Sequence, residues 1–314
     1  MTAGEPTARR SRWVDLSGPV HYLDFGGPPD GPVVVAVHGL GGAAVNWCAI
    51  APLLTPHCRL LAPDLAGHGL TRALGRGTQV APNRALLHRF VEAVAGTPVI
   101  LLGNSMGGMI ALLEAAAEPD AVAGLILIDP ALPLVPARPD PVVLRVFAAY
   151  AVPWLAGRVM RARARLSPDE VVAQILALCC ADPTRITAEV LDAHVRLAQQ
   201  RAEFPTADAE FLAAARSVVA TIGYLRGRPY RRAIRRVHGP VLLVHGERDR
   251  LIPVAAARAA ARANPAWSLV TMPDAGHVPQ LELPAATAGA ILDWLAGDGR
   301  KAASVAIPRG RAER

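Results

Sequence analysis

A chain of 314 residues with 33 basic and 26 acidic side chains, four Cys and 52% hydrophobic residues is neither disordered nor fibrous. Sixty residues are Ala and only 4% are aromatic, so the expected core is one of helices packed closely through small side chains. The longest uncharged run, Ala93 to Leu113, carries Gly96, Pro98, Gly103, Asn104, Gly107 and Gly108, which reads as strand, turn and helix and not as a membrane span.

No apolar stretch follows Arg9, Arg10 and Arg12, so an export signal is not expected, and the reading is a cytoplasmic protein with no integral membrane segment. Cys48, Cys58, Cys179 and Cys180 have no paired metal spacing, which favours buried thiols over a disulfide framework or a metal site. The net charge of +7 is uneven. Residues 1–13 carry +2, residues 297–314 carry +3, residues 131–237 carry +7, and the remainder carries −5. A nucleic-acid partner is excluded, because no basic stripe interleaved with aromatics is present. The arginines at 226, 228, 231, 232, 235 and 236 read as a solvated helix face.

In chain order, Val14 to Phe25 alternates around Ser17-Gly18-Pro19 and suggests a small antiparallel hairpin. Pro32 to Val37 is a continuous apolar run that ends at His38-Gly39-Leu40-Gly41-Gly42, the pattern of a strand buried on both faces. Similar runs are Arg59 to Ala62, Val99 to Leu102, Leu125 to Ile128, Val241 to Val244 and Trp267 to Val270, with helices such as Met106 to Glu118 and Val254 to Asn264 between them. Buried strands alternating with helices predict a mostly parallel sheet flanked by helices, with functional loops at the carboxyl ends of the strands. Between Pro133 and Val237 the alternation stops and only helices are read, one opening on the capping box Ser167-Pro168-Asp169-Glu170, with Thr187 and Thr206 as further caps. The expected organisation is a flexible basic N-terminus over 1–13, a catalytic core over 14–132 and 238–296, a helical lid over 133–237 rimmed by Pro130, Pro133, Pro136, Pro139 and Pro141, and a basic disordered tail over 297–314.

Gly103-Asn104-Ser105-Met106-Gly107 places a serine where a strand hands over to a helix. A sharp turn there lifts the hydroxyl clear of the sheet, and small neighbours two residues to either side let strand and helix pass. A hydroxyl needs a base to take its proton, and the base needs an orienting carboxylate. His277, in Asp274-Ala275-Gly276-His277, and Asp249, after His245-Gly246-Glu247-Arg248, both follow strands that end on the same side. Asp129 also ends a strand and competes for the acid's role, while Glu247 reads as structural. His38, His68 and His245 sit beside glycines and are read as loop-positioning residues, and His21, His57, His88, His194 and His238 show no partner or metal spacing.

On these motifs, with Asp64-Leu65-Ala66-Gly67-His68-Gly69 in addition, residues 20 to 296 resemble an α/β-hydrolase fold enzyme of the serine-nucleophile branch. The resemblance implies an oxyanion hole from the backbone N–H groups of Leu40 and Met106, no cofactor and no metal. A serine disfavours the carboxylate-nucleophile dehalogenases and epoxide hydrolases and points to carbonyl attack, most simply on a carboxylic ester. Gly-Asn-Ser-Met-Gly-Gly also resembles the elbow of meta-cleavage C–C hydrolases, so that activity and thioester hydrolysis remain alternatives. Gly41-Gly42-Ala43-Ala44 departs from the segment those C–C enzymes carry. Two other readings compete. Gly39 to Ala44 with Asp64 matches a dinucleotide fingerprint, and the fold could serve a non-catalytic receptor. Phe147, Tyr150 and Trp154 in the apolar stretch 146–157 predict a small-molecule substrate with a hydrophobic portion.

Overall fold

Because successive side chains of a strand point to opposite faces, each apolar run supplies two cores at once. Val33, Val35, Val37, Leu101, Leu127 and Leu243 enter one hydrophobic layer, and Val34, Ala36, Ile100, Leu102, Ile126 and Val244 enter the other. The computed structural model describes residues 10–96, 98–135, 140–223 and 227–307. Its strands are β1 (Arg10–Asp15), β2 (Pro19–Gly26), β3 (Val33–Val37), β4 (Arg59–Pro63), β5 (Val99–Asn104), β6 (Val122–Ile128), β7 (Val241–Gly246) and β8 (Ser268–Met272). They form one eight-stranded sheet in the order β1-β2-β4-β3-β5-β6-β7-β8. The pairs β1–β2 and β2–β4 are antiparallel, and the other pairs are parallel. β4 lies on one side of β3 and β5 on the other, so the strand order reverses there, the point at which open α/β sheets place their ligands beyond the carboxyl ends of the strands.

The helices are α1 (Ala51–Leu54), α2 (Val80–Phe90), α3 (Met106–Ala117), α4 (Pro141–Ala151), α5 (Pro153–Arg163), α6 (Pro168–Cys179), α7 (Ala188–Ala202), α8 (Ala207–Ile222), α9 (Arg228–Ile234), α10 (Val254–Ala263), α11 (Pro279–Glu282), α12 (Pro284–Ala296) and α13 (Arg300–Val305). α2, α3, α9 and α10 lie against the first core layer, and α1, α12 and α13 against the second. The six helices α4 to α9 are inserted between β6 and β7, with no strand among the described residues of that stretch. Ser167 caps α6 as expected, its hydroxyl accepting from Glu170 N at 3.2 Å while the Glu170 carboxylate accepts from Ser167 N at 2.7 Å. Thr187 and Thr206 stand at the N-cap positions of α7 and α8, but neither side chain caps its helix.

Both expected flexible ends are partly ordered. Residues 10–13 belong to β1, a largely exposed strand held by backbone pairing with β2, by Arg12–Asp24 and Trp13–His21 contacts, and by Val14 at the edge of the core. Residues 300–305 form α13, whose Ala302 packs under Gly124 and whose following Ala306 O accepts from Val33 N at 3.0 Å. Residues 1–9 and 308–314, together with Pro136, Pro139 and Arg226, lie outside the described residues. Arg228, Arg232, Arg235 and Arg236 are exposed, as a solvated face requires, while half-buried Arg231 donates to Leu134 O at 3.2 Å.

Candidate active site

Ser105 joins β5 to α3 with φ 54° and ψ −117°, a backbone conformation that non-glycine residues rarely hold. Glycines on either side make it possible. A Cβ at Gly107 would collide with the carbonyl oxygens of Val37 and His38, and one at Gly103 would come within 2.6 Å of the Gly107 and Gly108 backbone. Gly39 crosses directly over the serine, since a Cβ there would sit 3.1 Å from Ser105 Cβ. Leu40, the next residue, is therefore held beside Ser105, and Met106 heads α3, where helix geometry leaves the first amides without intrahelical acceptors.

His277 and Asp249 meet as expected. His277 Nδ1 lies 2.7 Å from Asp249 Oδ2, with both side chains buried. Asp249 Oδ1 accepts from Leu251 N at 2.7 Å and Ile252 N at 3.0 Å, so every oxygen of this carboxylate is engaged. Burial alone would raise the Asp249 pKa, but His277 and the surrounding donors outweigh it and hold the group below the usual carboxylate range. An ionised Asp249 fixes the proton of His277 on Nδ1 and leaves Nε2 as the basic nitrogen. The His277 main chain is tied to the serine turn through Asn104 Nδ2, which donates to His277 O at 3.0 Å and to Ile128 O at 3.0 Å. Among the described residues no hydrogen bond joins the Ser105 hydroxyl to the His277 ring, a contact that commonly forms only once substrate is bound.

Asp129 stands behind Asp249. Its Oδ1 accepts from Gly246 N at 3.0 Å, and its Oδ2 is buried without a donor. Burial first, and the Asp249 charge second, push its pKa well above the usual range, so Asp129 keeps a proton that it can direct at Asp249. His245 Nε2 lies 3.4 Å from Asp129, 3.6 Å from Asp249 and 2.9 Å from Ile252 O, to which it donates. Asp129, His245 and Asp249 offer donor atoms within 4.8 Å of one another, a shape that could hold a cation. Both Asp249 oxygens are committed to His277, Leu251 and Ile252, and Asp129 keeps a proton, so although Asp129 Oδ2 has no donor the three residues do not present the free anionic ligands a metal requires.

The loop-positioning reading of the other histidines fits their contacts. His38 Nε2 accepts from Leu65 N at 3.0 Å and its Nδ1 meets Gly39 O at 2.8 Å, which pins the loop over Ser105. Burial lowers the pKa of His38, and lowers that of His68 to about 3, so both stay neutral. Two histidines expected to lack partners have carboxylate partners: His21 pairs with Asp64 at 2.7 Å and His88 with Glu114 at 2.8 Å. Asp64 also accepts from Ala44 N and Leu70 N, and the segment after β3 forms a 3-10 turn over Ala44–Trp47. Asp64 is fully buried and holds three donors, and the glycines lead into a short 3-10 turn and not a long helix, so this segment does not fit the dinucleotide fingerprint. Glu247 binds Arg258 at 2.7 Å on the surface, a structural pairing. Trp154 departs from its expected place in a pocket wall: it is 69% exposed. Tyr150 and Phe147 are half-buried, and the Tyr150 ring stacks edge-on at 5.5 Å against Phe211, which in turn abuts Gly41.

One supporting residue escaped the sequence reading. Buried Glu282 accepts from Gly276 N at 2.8 Å, Asp182 N at 2.8 Å and Ala181 N at 3.2 Å, and His277 N donates to Cys179 O at 2.6 Å. These bonds clamp the His277 loop to the carboxyl end of α6. The only sequence signal was a lone acid in the apolar run Val278-Pro279-Gln280-Leu281-Glu282-Leu283.

Eight strands in this order, a strained serine between strand and helix, and a paired histidine and aspartate at the same sheet edge define a hydrolase scaffold. The chain matches the model of the alpha/beta hydrolase family over residues 34–290 and belongs to that family. It is 30% identical over 306 residues to the magnesium-chelatase 30 kDa subunit of Rhodobacter capsulatus, covering 93% of this chain and all of that protein. It is also 30% identical over 272 residues to the pimeloyl-[acyl-carrier protein] methyl ester esterase of Aromatoleum aromaticum, covering 85% of this chain and 99% of the other. Among solved structures, a putative lipase from Acinetobacter baumannii superposes with a TM-score of 0.75 over 94% of this chain and 93% of the other at 23% identity, a likeness of fold. No single helix among the described residues is long and apolar enough to cross a membrane.

Proposed function

We propose that the protein is a carboxylic ester hydrolase in which Ser105 is the nucleophile, His277 the general base and then acid, and Asp249 the residue that orients and stabilises the imidazolium. The observation that carries this reading is the His277–Asp249 pair at 2.7 Å, tied through Asn104 to the strained Ser105 turn. The two curated relatives bear different names, a chelatase subunit and an ester hydrolase, and the three side chains agree with the second.

The chemistry follows from the geometry. His277 Nε2 accepts the Ser105 proton as Oγ attacks the substrate carbonyl, and the negative charge moves to the carbonyl oxygen. The amides of Leu40 and Met106 receive that charge, where each donor is worth about 3 kcal/mol of transition-state stabilisation. His277 then returns its proton to the leaving alkoxide, leaving an acyl-serine that water cleaves by the reverse sequence. The helices α4 to α8 overhang these strand ends as a lid, with Phe211 and Tyr150 offering an apolar wall beside Gly41.

A fluorophosphonate probe followed by peptide mass mapping tests the nucleophile: the expected adduct is on Ser105 and is absent from Ser105→Ala. An adduct elsewhere, or p-nitrophenyl butyrate hydrolysis by Ser105→Ala as fast as by the parent, overturns the mechanism. Esters, thioesters and vinylogous diketones compared on the same preparation set the substrate class, with esters expected to show the highest kcat/KM.

A further inference from the structure

The first two helices of the insertion present a surface that the ester hydrolase reading does not use. α4 and α5 meet at Val152–Pro153 and turn by 112°. At that bend Trp154 is 69% exposed and Val152 38%, and in the first turn of α4 Leu144 is 55% exposed and Val142 46%. Single exposed apolar side chains are ordinary on a protein surface. Four of them within 142–154, two near each end of α4, are a concentration that a partner surface would cover.

The charge around this feature is one-sided. Residues 141–166 contain Arg145, Arg158, Arg161, Arg163 and Arg165 and no acid. Trp154, Arg158, Arg161 and Arg165 are exposed and recur at spacings of four, three and four along α5 and its end, which places them on one face. Of the nearby acids, Asp140 caps α4 and binds Arg250 at 2.9 Å and Glu170 closes the capping box of α6, while exposed Asp169 at the start of α6 and Asp208 on α8 offset part of the arginine charge. A crevice of about 190 Å³ lined by Phe147, Tyr150, Ala151, Ala215, Arg216, Val219 and Ala220 adjoins this surface between α4 and α8. Tyr150, one of its walls, touches Phe211 and through it the loop over Ser105.

We infer that the α4–α5 bend is an interfacial anchor that docks the protein on an anionic lipid bilayer, with Trp154, Val152 and Leu144 entering the acyl boundary and Arg158, Arg161 and Arg165 meeting the headgroups. Tryptophan at the N-terminal tip of α5 and guanidiniums farther along the same face suit a helix that enters the interface by its tip and meets the headgroups behind it, and each basic group near such a surface adds to binding. The pair lies on the bilayer and does not span it, since α4 and α5 are each eleven residues and are bent sharply apart. Docking by this surface sets the apolar crevice beside the lipid. Resting on the ester hydrolase reading, it identifies the substrate class as lipophilic esters that partition into membranes.

Flotation of the full chain with phosphatidylcholine vesicles, with and without 30% phosphatidylglycerol, tests the docking. The expected result is binding to the anionic vesicles that weakens between 50 and 500 mM NaCl. The double variant Leu144→Ser/Trp154→Ser should bind at least tenfold more weakly, and Arg158→Gln/Arg161→Gln/Arg165→Gln should lose about fivefold for each arginine removed. Both variants should hydrolyse a water-soluble short ester at the parent rate, which shows that they are folded. No binding to anionic vesicles at low salt overturns the inference, as does equal binding by parent and Leu144→Ser/Trp154→Ser. Dimerisation in solution lost on Trp154→Ser, without vesicle binding, overturns it in favour of a second copy as occupant. Ser105→Ala should float like the parent, so failure of the ester hydrolase reading leaves the docking result readable.

Discussion

The sheet body and the helical insertion solve different problems. In the body, β3, β5 and β7 are buried along their whole length, and each candidate reactive group stands within a few residues of a strand end. The insertion carries a net charge of +7 over 131–237 and buries few side chains fully, Ala214, Ala215, Tyr230 and Ala156 among them. Its two ends also differ. α6 is bolted to the His277 loop through Cys179 O and Glu282, and Val172, Leu176, Cys180 and Val190 share a small core with Val278 and Leu281. α4 and α5 instead leave apolar side chains in solvent. The contrast teaches that reactive geometry is carried by rigid strand ends and one clamped joint, while the remaining surface of the insertion is free to meet other partners.

The comparison breaks first at the two carboxylates of the body. Asp249→Asn should lower kcat about 10³- to 10⁴-fold, because the amide cannot stabilise the imidazolium and favours the wrong tautomer. Asp129→Asn should change kcat less than tenfold, since Asp129 does not touch His277. Equal losses from both, read from kcat at saturating ester, would return the acid's role to an unresolved contest between them.

At the clamped joint the expected effect is smaller. Glu282→Ala strips acceptors from three backbone N–H groups and should cost about 3 kcal/mol or more of stability, measured by urea unfolding. Glu282→Gln keeps the shape but loses the charge, and should lower kcat about tenfold with little change in KM, because it loosens the His277 loop and not the substrate pocket. A change in KM alone would mean that the joint shapes the pocket instead. On the solvated side, neutralising Arg228, Arg232 and Arg236 should alter kcat/KM for a neutral ester less than twofold. These residues flank Leu113 and Ala117, at the end of α3 remote from Ser105.

How much of this was legible in the sequence follows the same division. Parallel strands buried on both faces write themselves as unbroken apolar runs, and the serine turn must keep its glycines, so the sheet, the helical insertion and the positions of Ser105, Asp249 and His277 could be read directly. The β1–β2 hairpin is legible around Ser17-Gly18-Pro19, but the first four residues of β1 read as flexible because they are exposed and carry no hydrophobic pattern. α13 was missed because it is short and anchors through Ala302 and Ala306, side chains too small to mark a face. Glu282 and the Asp129–Asp249 contact join segments 100 or more residues apart, or lie behind a residue already assigned a role. Trp154 was misplaced because composition says that a segment is apolar, and only the fold says which way each side chain looks.

The smallest expected effect separates Asp129 from Asp249 by pH. Asp129 is held protonated by burial and by the neighbouring charge, so its native pKa lies above that of the unfolded chain. As pH rises from the ordinary carboxylate range towards that raised value, the unfolded state releases this proton and the native state keeps it, and stability falls. Asp249 behaves oppositely: its lowered native pKa adds stability at neutral pH that is lost as the solution is acidified through it. Asp129→Asn replaces the protonated carboxyl with a neutral group that can still accept from Gly246 N and donate towards Asp249. The difference in Tm between Asp129→Asn and the parent should therefore increase in the variant's favour from pH 4 to pH 8, while the Asp249 contribution stays common to both. A difference that is flat across this range would mean that Asp129 ionises normally, and that the two carboxylates share the site as equals.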